Sequence, residues 1–381
     1  MFALCYNETT MLYKRIVAKF GTNLLTGTTD QLNLKVMASL VRQIARLHDK
    51  GYEIVIVSSG AVAAGRQKLG LGKRRKDIPF KQVLASVGQS ELMRSYKELF
   101  TRYNIVVAQA LLTKTDLSKR SGYLNARNTL LALIGLGVIC IVNENDVVAT
   151  DEIGGVKFGD NDNLSAMVAN LIDADLLVIL TDIDGLFTAD PQNNPDATLI
   201  MEVKQIDSRI QQMASRTSSI RGVGGMATKI QAAKLATACG IATVIGNGLK
   251  KDTLSQIVLG KRAGTFFLPA SSKIESRKRW MLSGLASKGK IIIDSGAVLA
   301  LKKENKSLLP AGIVGVEGKF LRGDVVNIVD TAGNSLGCGI SNYGSSEIIL
   351  VKGSQSKAVS KILGYEYGSE IIHRNNFAMV E

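Results

Sequence analysis

The sequence predicts an α/β protein: a three-layer α/β/α sandwich with a mostly parallel central sheet, followed by a small C-terminal β-rich domain. Three observations carry this. Short, continuous apolar runs alternate with segments of helical period, as strands buried on both faces require. Polar or glycine-rich residues follow those runs, where such sheets bind their ligands. From about residue 272 the pattern shifts to short β-like runs between Gly, Asn and Asp turns.

The elements follow in order. Residues 13–20 (YKRIVAKF) read as a buried strand ending at Gly21, Thr22 and Asn23. A helix is expected over 33–48, where Leu34, Met37, Leu40, Val41, Ile44 and Leu47 keep helical spacing and Gly51 stops it. Residues 52–57 (YEIVIV) form a strand that runs into Ser58, Ser59, Gly60 and Ala61. A helix over 81–100 precedes a short strand at 105–108, and a helix over 123–133 precedes a strand at 137–142. The stretch 143–173 is the centre of the chain. It holds two polar clusters, NEND (143–146) and GDNDN (159–163). Behind the second, Leu164, Met167, Val168, Leu171 and Ile172 recur at i, i+3, i+4, i+7 and i+8, so a helix starts near 160–162. Residues 175–180 (DLLVIL) are a strand leading to Thr181 and Asp182, and 190–197, with two prolines, is a loop. A glycine-rich loop at 222–226 opens an Ala-rich helix that Gly240 stops, and 241–245 is the last strand. Beyond it, 289–294, 297–301, 324–329 and 347–351 read as β-like runs and 309–312 as a turn. The implied boundaries are 11–271 for the first domain, 272–287 for a linker and 288–381 for the second.

A length of 381 residues with 46% hydrophobic content suits two domains. No apolar run is long enough to span a bilayer, and no basic segment leads into a long apolar core near the start, so neither membrane insertion nor secretion is expected. Residues 1–10 read as a disordered lead or an upstream start. Cys5, Cys140, Cys239 and Cys338 lie far apart with no C-x-x-C pair, which fits reduced thiols in the cytoplasm and argues against zinc. His48 and His373 are the only histidines, too few for a histidine-based triad or metal site. The net charge of +14 invites a polyanion partner. Residues 273–381, however, carry 15 Lys/Arg against 10 Asp/Glu, so most of the surplus lies in the first domain. Its one cluster, at 66–76, reads as a solvated loop.

Asp and Asn in a helix's first turn can serve as N-caps, but a cap needs one such residue. Four polar residues after Gly159, with a second cluster ahead of them, point to a polar ligand site. Gly222, Gly224 and Gly225 let backbone N–H groups approach an anion at a helix N-terminus, although the pattern is neither Walker A nor G-x-G-x-x-G. Lys229 stands in that helix's first turn, against the dipole; such broken rules mark functional sites, and a solvated Lys is the alternative. Lys19 ends an apolar strand beside Gly21, which aims its ammonium into the cleft unless it snorkels to solvent. Two lysines, a glycine loop and carboxylates at strand ends are parts for phosphoryl transfer, a chemistry of positioning and charge neutralisation.

Specific segments then match a family: Lys19-Phe20-Gly21-Thr22, Ser58-Ser59-Gly60-Ala61, Ala85-Ser86-Val87-Gly88-Gln89, Leu124-Asn125-Ala126-Arg127, Asn143-Glu144-Asn145-Asp146, residues 159–165, Leu180-Thr181-Asp182, and Gly224-Gly225-Met226 with Thr228-Lys229. Arg277-Lys278-Arg279-Trp280 and residues 363–368 match near the end. Together they resemble the glutamate 5-kinases of the amino acid kinase superfamily, with a C-terminal PUA domain. The resemblance implies transfer of phosphate from ATP to the γ-carboxylate of L-glutamate, the first step of proline biosynthesis. It implies that Lys19 contacts the ATP phosphates and that Ser59, Asp146 and Asn161 hold glutamate. It puts Thr181, Asp182 and the loop of Val223, Gly224, Gly225, Met226, Ala227, Thr228 and Lys229 on the nucleotide, with Lys229 also neutralising the transferring phosphoryl group. Asp160 and Asp162 become organisers of the lysines or of Mg2+, and the metal ligands stay open. The family loop usually opens with Thr where Val223 stands, which removes a hydroxyl but keeps the backbone N–H; Asn23 stands where Ser is frequent.

The nucleophile this implies is a carboxylate with a pKa of roughly 4.3, already ionised at neutral pH, so no general base is needed. The resemblance also implies a homo-oligomer (dimer or tetramer) and proline as feedback inhibitor. RNA binding by the PUA-like domain is the lesser reading, since its net charge is modest and no stacked aromatic array is visible. The rivals are a kinase for acetylglutamate, aspartate or uridylate, against which the tail and GDNDN argue, and an RNA-binding protein with the kinase domain as scaffold.

Overall fold

The structure, a computed structural model, describes residues 11–27, 29, 31–71, 78–149, 161–191, 193–216, 225–270, 287–304 and 306–379. Asp160, Val223, Gly224, Cys5 and nearly all of the expected linker lie outside the described residues. The chain divides into two compact units, one of residues 1–117 with 127–272, the other of 118–126 with 273–381.

In the first unit, strands β1 (Arg15–Phe20), β2 (Glu53–Ser58), β3 (Val107–Leu112), β4 (Ile139–Glu144), β5 (Leu176–Thr181), β6 (Glu202–Val203), β7 (Ala242–Asn247) and β8 (Thr265–Phe267) form one sheet. Their order is β3-β4-β2-β1-β5-β7-β8-β6. All pairs are parallel except β7 with β8. The order turns at β1: β2, β4 and β3 lie to one side and β5, β7 and the rest to the other. Such a turning point opens a crevice outside the carboxyl ends of the strands. The register levels those ends, pairing Phe20 with Ser58 and Leu180, and Thr181 with Asn247.

The helices are α1 (Thr22–Thr26), α2 (Leu34–Asp49), α3 (Ala61–Lys68), α4 (Ile78–Thr101), α5 (Lys114–Ser118), α6 (Arg120–Gly135), α7 (Asn161–Leu171), α8 (Ser208–Arg216), α9 (Met226–Ala238) and α10 (Thr253–Val258). Strand alternation sorts them into layers. Ile16, Ala18, Phe20, Ile54, Ile56, Val178 and Leu180 join one core with Met37 and Leu40 of α2, Tyr96 and Phe100 of α4, and Ile257 of α10. The alternate residues, Lys19 among them, face the other layer, where α7 packs on β1 and against α9. Asn33 caps α2 by accepting from the N–H groups of Lys35 and Val36. The run after Ser59, unassigned from sequence, is the helix α3. Its contact with α4 depends on two glycines: a Cβ on Gly65 would lie 1.9 Å from the Leu84 carbonyl oxygen, and one on Gly88 1.8 Å from that of Ala61.

The second unit holds β9 (Gly289–Ile293), β10 (Ile313–Gly318), β11 (Val325–Asp330), β12 (Ser335–Ile340) and β13 (Phe377–Met379), in the order β10-β9-β11-β12-β13. Ile291, Ile293, Phe320, Val326, Ile328 and Tyr343 are buried at its core. Two runs expected to be β-like are helices instead. Residues 297–301 belong to the helix Ser295–Lys303, which Asp294 caps by accepting from the Ala297 N–H at 2.7 Å. Residues 347–351 belong to Ser345–Val351, where the Glu347 carboxylate accepts from the Gly344 N–H. Runs of four or five apolar residues fit either period, and the capping bonds decide the outcome. Leu124 packs with Val325, Cys338 and Ile340. Tyr365 and Tyr343 meet Tyr367 at interplanar angles of 60° and 52°, and the Arg322 guanidinium lies 3.9 Å from the Tyr367 ring centre. The rings meet edge to face, not as an open stacking platform.

Candidate active site

Two lysines from distant segments meet on one carboxylate. Lys19, next to last in β1, lies on the α7 face and is 3% exposed. A Cβ on Gly21 would lie 3.5 Å from the Lys19 Nζ, an ordinary van der Waals contact. Asp162 stands in the first turn of α7 and is fully buried. One of its oxygens, Oδ1, forms an ion pair with Lys19. The other, Oδ2, takes Lys229 Nζ at 3.1 Å and the Thr228 hydroxyl at 2.8 Å. Burial by itself would raise the Asp162 pKa; the charges of Lys19 and Lys229, with hydrogen bonds from Lys19 and Thr228, outweigh it and hold the carboxyl well below the usual carboxylate range. Lys229 is thus no solvated surface residue, and Lys19 does not snorkel. Of the two candidate organisers of the lysines, Asp162 touches both of them, and Asp160 lies outside the described residues.

Beside this centre runs a chain of neutral side chains. Gly60 adopts φ +111°, which lets β2 turn sharply into α3 just after Ser59. Asn161, next to Asp162, donates from Nδ2 to the Ser59 hydroxyl and to Asn143 Oδ1, both at 2.9 Å. Asn143, next to last in β4 as Lys19 is in β1, donates in turn to Gln89 Oε1 at 2.8 Å. Below Ser59, the Ser58 hydroxyl bonds the buried Tyr96 hydroxyl at 2.7 Å and donates to the Ser59 carbonyl at 2.9 Å. Asn161 Oδ1 and Gln89 Nε2 are shielded from water and have no hydrogen-bond partner among the described residues.

Past Gln89 opens a cavity of about 350 Å³ between α4, the end of β3 and the end of β4. Asp146, Glu144, Asn145, Ser86 and Gln109 line it, and neither lysine does. Burial raises the Asp146 carboxyl to about 6. On the other side of β1, the Thr181 hydroxyl donates to Asp182 Oδ1 at 2.9 Å, and Asp182 is exposed. Asn247, across from Thr181, donates to Asp184 Oδ1 at 3.0 Å, and Lys250 pairs with Asp184 at 2.7 Å. Gly225 stands at the N-cap of α9 without a side-chain cap, Met226 is buried and Ala227 exposed.

The structure therefore brings together Lys19, Lys229, Thr228 and Asp162, joins Ser59 to Asn161, and sets Asp146 in a cavity beside them. Sequence reasoning did not single out Asn143 as the link, nor the Asp184–Asn247–Lys250 cluster. The signal for Asn143 was present: a polar residue near the end of an apolar strand, as Lys19 is. Among the described residues no group of three or more His, Cys, Asp and Glu is arranged to hold a metal. Asp162 is unsuited to that task, with both oxygens engaged by the lysines and Thr228. No helix among the described residues is long and apolar enough to cross a membrane.

A lysine near a strand end and another in a helix's first turn share one buried aspartate, and a cavity opens beside them. Residues 14–247 match the sequence model of the Amino acid kinase family, and residues 289–363 match that of the PUA domain. The chain is similar to the glutamate 5-kinase of Dehalococcoides mccartyi (strain CBDB1), with 56% identity over 97% of this chain and 99% of that one. It is 50% identical to the glutamate 5-kinase of Herpetosiphon aurantiacus, over 96% of this chain and 98% of the other. With the glutamate 5-kinase of Shewanella halifaxensis it shares 45% identity, over 98% of this chain and all of that one. Family match, near-complete coverage and the lysine–aspartate centre lead to one conclusion: the chain belongs to the amino acid kinase family, in its glutamate 5-kinase branch with a C-terminal PUA domain.

Proposed function

We propose that this protein transfers the γ-phosphoryl group of ATP to the γ-carboxylate of L-glutamate, forming L-glutamyl 5-phosphate and opening proline biosynthesis. The observation that carries the reading is the convergence of Lys19 and Lys229 on Asp162. A carboxylate oxygen of glutamate attacks the γ-phosphorus, the bond to the β,γ-bridging oxygen breaks, and ADP leaves. No proton moves, which suits a site without histidine. The obstacle is repulsion between two anions, and two ammonium groups in a poorly solvated site relieve it strongly. Lys19 and Lys229 contact the phosphates, and Asp162 fixes their positions. Asp160 has the same expected role or a part in holding Mg2+. Ser59, Asn161 and Asp146 hold glutamate. Thr181, Asp182 and the loop from Val223 to Lys229 take the nucleotide.

Mg2+ belongs to this reading as a companion of ATP. It keeps several waters and is bound chiefly through substrate phosphates and one or two carboxylates, so a protein cage is not required. Residues 11–271 carry the reaction and 288–381 the PUA-like part, joined by 272–287. A homodimer or homotetramer, inhibition by proline and a cytoplasmic location go with the same reading. The free Cys140, Cys239 and Cys338 suit a reducing compartment.

Glutamate-dependent ADP release is the test, with acetylglutamate, aspartate and uridylate as rival acceptors. Release that rises with glutamate and with none of the others is expected. Equal release without glutamate, or preference for another acceptor, would overturn the assignment.

A further inference from the structure

Gln89 stands on α4 and lines the cavity that also holds Asp146. Its two amide ends are in unlike situations. Oε1 accepts from Asn143 at 2.8 Å, while Nε2 is shielded from water and has no partner among the described residues. In the structure Asn161 donates to Asn143 Oδ1, and Asn143 in turn donates from Nδ2 to Gln89 Oε1. The NH2 group is left at the end of the chain. A buried donor without an acceptor is unfavourable and calls for an explanation, of which a ligand is one.

The same chain indicates which part of a ligand comes here. At one end Asn161 adjoins Asp162 and so the two lysines. At the other, Gln89 borders the cavity of Asp146. An acceptor that reacts at the lysines has its far end beside Gln89 and Asp146. A neutral donor and a carboxylate, side by side, match the carboxylate and ammonium of an α-amino acid. We infer that Gln89 is a specificity residue of the acceptor site, its Nε2 donating to the α-carboxylate of the bound amino acid. Gln89 already lines the cavity. A glutamine supplies the hydrogen bond without a positive charge that would oppose the substrate's ammonium. This inference rests on glutamate being the acceptor, as proposed above.

The competing explanation is that Gln89 only buttresses Asn143. Gln89→Glu separates the two, because it keeps an oxygen for Asn143 and replaces the donor with a carboxylate. Gln89→Met removes both ends and serves as a second variant. The probes are glutamate, as substrate in ADP release, and 4-aminobutyrate, as competitor. The latter keeps the reacting carboxylate and the ammonium and lacks the α-carboxylate. Gln89→Glu should raise the glutamate KM at least tenfold, leave the ATP KM unchanged and leave 4-aminobutyrate binding no weaker. Gln89→Met should weaken glutamate more than 4-aminobutyrate. A glutamate KM within threefold of the parent in Gln89→Glu, or equal losses for both ligands in Gln89→Met, assigns Gln89 to the buttress and overturns the inference. So does a parent protein that binds 4-aminobutyrate as well as glutamate. A parent inactive with glutamate fails at the earlier step, removing the functional assignment and this inference with it.

Discussion

Asp162 and Asp146 both lie beside strand ends of one sheet, and burial pushes both carboxyl groups toward the neutral form. They end in opposite states. Asp162 meets two ammonium groups and a hydroxyl, so it stays ionised and rigidly placed. Among the described residues no cation lines the cavity of Asp146, and burial raises its carboxyl to about 6. The difference teaches how one site handles two tasks. Around Asp162 the protein completes its own charge pairing, and under the proposed function the two cations face a phosphate. Around Asp146 it holds neutral amides and a carboxylate that a substrate's ammonium would stabilise.

The sharpest way to break this comparison is to remove the carboxylate that both lysines share. Asp162→Ala leaves two buried ammonium groups without it, and should cost about 3–5 kcal/mol of stability, the range for breaking a buried pair. Denaturant unfolding measures it; a loss under about 1 kcal/mol would mean the lysines do not depend on Asp162. Next comes Lys229→Ala. Losing one donor to the developing charge should lower turnover by about 10²–10³-fold, while the glutamate KM moves much less. Near-normal turnover in the ADP assay would remove Lys229 from the transfer step.

The pH profile probes the other carboxylate. Above about 6 Asp146 is ionised and can hold an ammonium; below it, protonation removes that attraction. The glutamate KM should therefore rise about tenfold between pH 7 and pH 5, following the ionised fraction. Asp146→Asn should flatten the profile, and a steep profile in that variant would point to another group. The sign for stability is the reverse of the usual carboxylate case. A raised folded-state pKa means the group opposes folding above about 6 and ceases to do so once pH falls below its unfolded value near 4. The smallest effect belongs to Tyr96→Phe, which deletes one buried hydrogen bond to Ser58. It should cost about 0.5–1.5 kcal/mol in stability. A glutamate KM that also rises would show that Ser58 transmits its position to Ser59.

The first domain was largely legible because its strands are buried on both faces and its long helices keep a clear period. Lys19, Lys229 and the GDNDN cluster stood out by breaking local rules, and the structure places Lys19 and Lys229 on Asp162. The short segments were less legible. Residues 297–301 and 347–351 carry too few apolar positions to separate a strand from a helix, and their caps, Asp294 and Glu347, were not weighed. The strands Glu202–Val203 and Thr265–Phe267 are only two and three residues long and exist because they pair at the sheet's edge. Gln89 and Asn143 belonged to recognised segments, yet their roles depend on a hydrogen-bond chain that links α4, β4 and α7.

By itself the sequence determined the alternation of strands and helices, the polar residues at the strand ends and the family to which those residues point. Local spacing suffices for that, since each element's period reports which of its own faces is buried. Only the tertiary structure decided that Lys19 and Lys229 share Asp162, that Asn161 joins Ser59 to Asn143, and that Asp146 lines a cavity where burial raises its carboxyl. Those are meetings between distant segments. They follow from strand order, register and the glycine contact of α3 with α4, and no window of neighbouring residues contains them.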